Sequence, residues 1–199
     1  MARVRTRPTR EETIDQLLRG AADAFAQFGV LGAALEDICA RANLTRGAFY
    51  SSFKTREELA LALHARITNE LIDEFRMRFD ALPLVETAEE FSQSLLENLE
   101  YDRQIHVLFT EFHLLALRNE EFGRQMAQHN RRLYASLGAS VSSAAGRSGF
   151  RFAMDDDLFA RSLGALFFHG HLQALMDPEI LGPGDLVKAV GPLMFNAAE

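Results

Sequence analysis

Residues 34–59 constrain this chain more than any other segment. Leu35, Ile38, Cys39 and Ala42 fall at i, i+3, i+4 and i+7, one apolar stripe on a short helix. Asn43 follows, a residue that tolerates the left-handed conformation of a helix stop. Thr45 can then cap a second short helix by accepting a hydrogen bond from the backbone near Gly47 or Ala48. That second helix has an unusual surface. Thr45, Arg46, Gly47, Ala48, Tyr50, Ser51, Ser52 and Lys54 are small, hydroxylic, basic or a lone Tyr, and only Phe49 and Phe53 can hold the helix to a core. Short polar side chains beside an Arg, a Tyr and a Lys suit close approach to a phosphate backbone. A capped long helix begins directly afterwards, at Thr55 and Glu58.

Helical periodicity continues along the rest of the chain. Thr9 and Glu12 form a capping-box pattern, and a stripe from Ile14 to Phe28 runs to Gly29. Leu59, Leu63, Ile67, Leu71, Phe75 and Phe79 extend the long helix to about Asp80, before Pro83. Thr87 and Glu90 open a helix over about 88–101. Further helices are expected at about 103–118, 120–145 and 155–176, with 146–154 a loop. A last helix from about Asp185 is interrupted by Gly191 and Pro192. No strand-like alternation stands out. The expected class is all-α with about nine helices: an N-terminal helix-turn-helix domain over 1–55 with a basic arm, and a larger helical domain over 56–199.

The net charge of −7 argues at first against nucleic acid, but its distribution does not. Residues 1–60 carry nine Lys and Arg against eight acids, whereas the remainder carries twelve against twenty. Arg3, Arg5, Arg7 and Arg10 make the first ten residues a basic arm, read as touching DNA, with a merely solubilising tail as the alternative. No run approaches a transmembrane span, and no apolar segment follows the N-terminal arginines as a secretory signal would require, so no membrane partner is expected. A single Cys excludes an internal disulfide and fits a reducing cytoplasm.

The segment AspIleCysAlaArgAlaAsnLeuThrArgGlyAlaPheTyrSerSerPheLysThrArgGluGluLeu, residues 37–59, resembles the signature of TetR-type bacterial transcriptional regulators. The likeness covers about residues 10–60. It departs at Cys39, where Ala is common, and at Asn43, Leu44 and Thr45, which replace Gly, Val and Ser. Ala34 stands at a usual Ser/Thr cap, Ser52 at a frequent His, and Arg56 at a Lys. The resemblance implies a homodimer that lays each second motif helix in the major groove of double-stranded DNA and reads an inverted repeat. It also implies a helical domain that binds a small-molecule effector and moves the reading heads. By position, Thr45, Tyr50, Ser52, Lys54 and Arg56 would contact phosphates, and Arg46 and Ala48 would face base edges. Arg46 would read guanine, with a phosphate contact or a solvated helix start as its alternatives. Tyr50 as packing alone is the alternative to its DNA role.

For the effector, the Phe-rich later helices read chiefly as core, with some side chains lining an apolar cavity. Phe75, Phe79, Phe109, Phe112, His113, Phe168, His169 and Gln173 are the candidates. Gly164, Ala165 and Gly170 would allow a second helix to approach closely, with Leu163, Leu166, Leu172 and Leu175 sealing the contact. No metal and no cofactor are expected. His169 and His171 point to nearly opposite faces, and His106 and His113 lie about 10 Å apart along a helix. Enzyme signatures are missing too: there is no phosphate loop, nucleophile elbow or paired carboxylate, and Cys39 sits on an apolar stripe. The expected function is a ligand-responsive repressor. An activator with the same head, or a helical binding protein without DNA function, are the alternatives.

Overall fold

The computed structural model describes residues 8–97 and 102–197. Among them are nine α-helices: α1 (Arg10–Phe28), α2 (Leu35–Arg41), α3 (Arg46–Ser52), α4 (Arg56–Asp80), α5 (Ala88–Glu97), α6 (Arg103–Arg118), α7 (Glu120–Arg147), α8 (Asp156–Met176) and α9 (Asp185–Val190). The fold is all-α. The helix starts follow local chemistry. Thr9 accepts from Glu12 N–H at 3.2 Å while Glu12 returns a bond to Thr9 N–H at 2.7 Å. Thr55 accepts from Glu58 N–H, but Glu58 reaches back one residue further, to Lys54 N–H at 2.7 Å. Thr87 and Glu90 form the reciprocal pair at α5, and Asp155 caps α8 through Leu158 N–H at 2.9 Å. Each cap satisfies a donor that a helix start leaves unpaired. The expected end of α5 at Tyr101 lies outside the described residues.

The chain divides into two compact units. One holds residues up to Ile67 together with Arg103–His129, and the other holds Thr68–Asp102 with Asn130 onward. The long helices α4 and α7 each contribute to both. In the first unit α6 and the start of α7 join the helix-turn-helix segment.

In the first unit, α1 packs on α2, α3 and α6. Leu17, Ala21, Ala24, Phe25, Ile38, Phe49, Leu59 and Ala60 are all essentially excluded from solvent. Gly20 is what lets α1 and α2 meet. A Cβ there would lie 2.7 Å from the Ile38 carbonyl oxygen and 2.8 Å from Ala42 N.

In the second unit, Phe79, Phe91, Leu95, Val141, Phe159 and Phe195 belong to one core. One expectation is corrected here. Residues 146–154 are not simply a loop, because Phe150–Phe152 forms strand β1, paired antiparallel with β2 at Phe195–Ala197. Phe152 stacks on Phe159 with ring centroids 3.6 Å apart, so the ribbon is fastened by aromatic burial at the start of α8. The small residues of α8 are also taken up within this unit. A Cβ on Gly164 would lie 2.9 Å from Tyr134 Cε1, and one on Gly170 would meet Leu186 at 3.2 Å. Leu163 is buried, while Leu175 stays exposed. Pro192 does end the last helix, which gives way to a 3-10 turn over Gly191–Met194.

Candidate nucleic-acid interface

The turn between α2 and α3 is built as its residues dictate. Asn43 adopts a φ of 53°, the left-handed conformation that stops α2. Thr45 caps α3 through Ala48 N–H at 3.2 Å. Ala34 caps α2 with no side-chain hydrogen bond. Along α3 only Phe49 is buried. Its ring meets Tyr50 edge-on at 5.3 Å and Phe53 at 6.1 Å. Burying an anchor of this size is worth roughly 1.5–3 kcal/mol, and it is the one fully buried side chain of a seven-residue helix.

The predicted contact residues fall into two groups. Thr45, Arg46, Gly47, Tyr50, Ser51 and Lys54 are exposed, and Ala48 and Ser52 are half-buried. Gly47 has open space: a Cβ would meet only Thr45 Oγ1, at 3.7 Å. Ser51 donates back to the Ala48 carbonyl at 2.7 Å. Arg46 pairs through Nη1 with Glu36 Oε1 of α2 at 2.8 Å. Proximity to Tyr50 foremost, and then to Glu36, raises the pKa of this guanidinium above the ordinary Arg value.

Arg56 stands apart. Its Nη1 donates to the carbonyls of Leu31 at 3.0 Å and Ala33 at 2.7 Å, so it ties α4 to the α1–α2 connection. Arg5 and Arg7 lie outside the described residues.

The eight residues expected to line an effector cavity are spread over both units. Phe109, Phe112 and His113 belong to the first, and Phe75, Phe79, Phe168, His169 and Gln173 to the second. Phe79 is wholly buried in its unit's core with Phe75 stacked on it at 5.6 Å. Phe112 is also wholly buried, and His169 and Gln173 are exposed. Burial lowers the pKa of His113, opposed by a hydrogen bond to the Phe109 backbone.

Sequence reasoning missed two features. His64 is fully buried, with its Nδ1 3.2 Å from that of His129, and its ring meets Phe109 and Phe112 edge-on. The two histidines lie 65 residues apart, so no spacing rule could pair them. A cleft of about 200 Å³ lies between the Phe28–Gly32 segment and Glu111, Leu114, Leu115 and Arg118 of α6. It is smaller than the ~300–1,000 Å³ usual for ligand pockets and includes none of the eight predicted residues. Among the described residues no group of three or more His, Cys, Asp or Glu could hold a metal ion, and no helix is long and apolar enough to cross a membrane.

A short exposed helix, held by one aromatic anchor after a left-handed turn and packed with two other helices, has the form of a helix-turn-helix motif. Residues 17–63 match the model for bacterial regulatory proteins, tetR family. Residues 17–63 thus match that family's N-terminal domain, and over nearly its whole length the chain shares its fold with solved structures described as transcriptional regulators. Escherichia coli NemR in its reduced form superposes with a TM-score of 0.72 at 18% identity, covering 93% of this chain and 98% of that one. A Mesorhizobium loti protein assigned to the TetR family gives 0.70 at 16%, covering 94% and 95%. A Saccharomonospora viridis protein described as a transcriptional regulator, in complex with choline, gives 0.69 at 14%, covering 94% and 99%. At these identities the likeness is one of fold. No curated protein sequence matches the chain.

Proposed function

We propose that the chain is a ligand-responsive transcriptional repressor that binds an inverted-repeat operator as a homodimer and is released by a small hydrophobic or aromatic effector. The observation that carries this reading is the face of α3: six exposed residues from Thr45 to Lys54, small, hydroxylic or basic, around the single buried anchor Phe49. Residues 1–55 act as the DNA-binding head with its arm, and 56–199 as the effector and dimer domain. The cytoplasm is the compartment this role requires. On the head, Thr45, Gly47, Tyr50, Ser51, Ser52 and Lys54 meet the phosphate backbone, and Arg46 and Ala48 face base edges. Arg56 acts there mainly by fixing the loop it holds. The effector shifts the head-to-head spacing by binding one conformer better than the other.

Selection of duplexes from a random pool at near-physiological salt tests the reading. An enriched inverted repeat is expected, with affinity falling steeply as salt rises. Lys54→Ala and Tyr50→Phe should weaken binding to every sequence, whereas Arg46→Ala should chiefly relax preference. A dimeric, helical protein that enriches no sequence would instead favour a helical small-molecule-binding protein. Transcription with and without effector separates repressor from activator.

A further inference from the structure

Glu36 lies in the first turn of α2 and Arg46 is the first residue of α3. Their ion pair spans the turn at 2.8 Å with both side chains largely in water, 63% and 60% exposed. An exposed pair of this kind contributes little to stability, and the helices it joins already share a buried core. What the pair does set is direction. Glu36 holds Nη1, and Tyr50 lies one turn further along α3. An Arg fork carries five donors, so this tie leaves donors for a base edge with two acceptors, such as guanine.

Resting on the DNA-binding reading above, we propose that Glu36 is the specificity-determining residue of the head: it positions Arg46 toward base edges and keeps it off the phosphate backbone. An untied arginine at a DNA surface has a competing partner, since every phosphate attracts it regardless of sequence. Glu36 opposes that choice twice. Its carboxylate occupies one guanidinium nitrogen, and its charge repels the phosphates that would take its place. The carboxylate thus lowers affinity for all DNA while raising the ratio between the right sequence and the rest.

The test is competition binding of the wild type, Glu36→Ala and Glu36→Gln to the selected duplex and to a scrambled one. Glu36→Ala should bind the scrambled duplex more tightly and lose about tenfold in the ratio of the two affinities, within the range one bidentate base contact supplies. Glu36→Gln should recover part of the ratio, because its amide oxygen still accepts from Nη1. In an Arg46→Ala background, Glu36→Ala should leave the ratio unchanged. An unaltered ratio in Glu36→Ala, or an equal loss of affinity for both duplexes, overturns the proposal, since a merely structural role in the first turn of α2 would act on both alike. A wild type that enriches no sequence overturns the DNA-binding reading itself, and is told apart from failure of the Glu36 role by that result alone.

Discussion

The carboxylate of Glu111, on α6, accepts the backbone N–H of Val30 at 3.1 Å and stands where a side chain on Gly29 would have to go, 2.7 Å from its Cβ position. Gly29 ends α1 with a φ of 74°. At its start the connection after α1 is therefore held by a side chain 81 residues away and a glycine that leaves room for it, beside the bonds of Arg56 further along. Glu111→Ala should cost about 1–3 kcal/mol, the usual penalty for orphaning a partly buried donor. Gly29→Ala should cost about 1–3 kcal/mol of backbone strain, since φ 74° with ψ 160° is a region open essentially to glycine alone. Urea unfolding reads both, and a loss under ~0.5 kcal/mol for each would show that the connection is held some other way.

Two other glycines should behave in opposite ways. Gly20→Ala drives a methyl into the backbone of α2 at 2.7 Å, and should cost at least about 1–3 kcal/mol of overpacking. Gly47→Ala meets nothing closer than 3.7 Å, so the free protein should be unharmed or stabilised by up to about 1 kcal/mol, as helix propensity favours Ala. Its DNA affinity should nonetheless fall, since the methyl occupies the exposed face of α3. Thermal melting paired with DNA titration separates the two, and unaltered DNA binding in Gly47→Ala would remove that glycine from the interface.

Arg56 should act through stability. Replacing it with Ala leaves the Leu31 and Ala33 carbonyls without its donors and should cost about 1–3 kcal/mol, given that bonds to charged groups are the stronger kind. Lys should rescue only in part, because a single ammonium lacks the planar fork. If Arg56→Ala melts like the wild type and loses only DNA affinity, a phosphate contact is its main role.

Cys39 should be slow to react. It is 4% exposed, and burial first, then the charge of Glu36, raise its pKa above the ordinary thiol value, with Arg46 opposing. The sign follows from which state ionises first. The unfolded thiol loses its proton at lower pH than the folded one, so above about pH 8.5 the unfolded state binds fewer protons and stability falls as pH rises. Alkylation of the folded protein at pH 8 should be far slower than in denaturant. Labelling at the rate of a free thiol would mean that the α1–α2 contact opens readily.

Much of this was legible in the chain. The bounds of α6 coincide with the expected Arg103–Arg118, and Thr9, Thr45, Thr55 and Thr87 cap the helices expected of them, because a cap needs only a side-chain oxygen and the next turn of backbone. Asn43 stops α2 for an equally local reason. The exposed face of α3 was readable because only its Phe spacing could point inward.

What tertiary structure alone decided joins residues far apart in sequence. The ribbon of Phe150–Phe152 with Phe195–Ala197 is too short to alternate visibly, and it exists because Phe152 and Phe195 find Phe159. His64 meets His129, Glu111 meets Val30, and Arg56 reaches a pair of carbonyls. Helix periods and caps are set by interactions within one or two turns, so the amino-acid order contains them. Which polar group satisfies which depends on how helices are placed against one another, and that placement is settled only when the cores close.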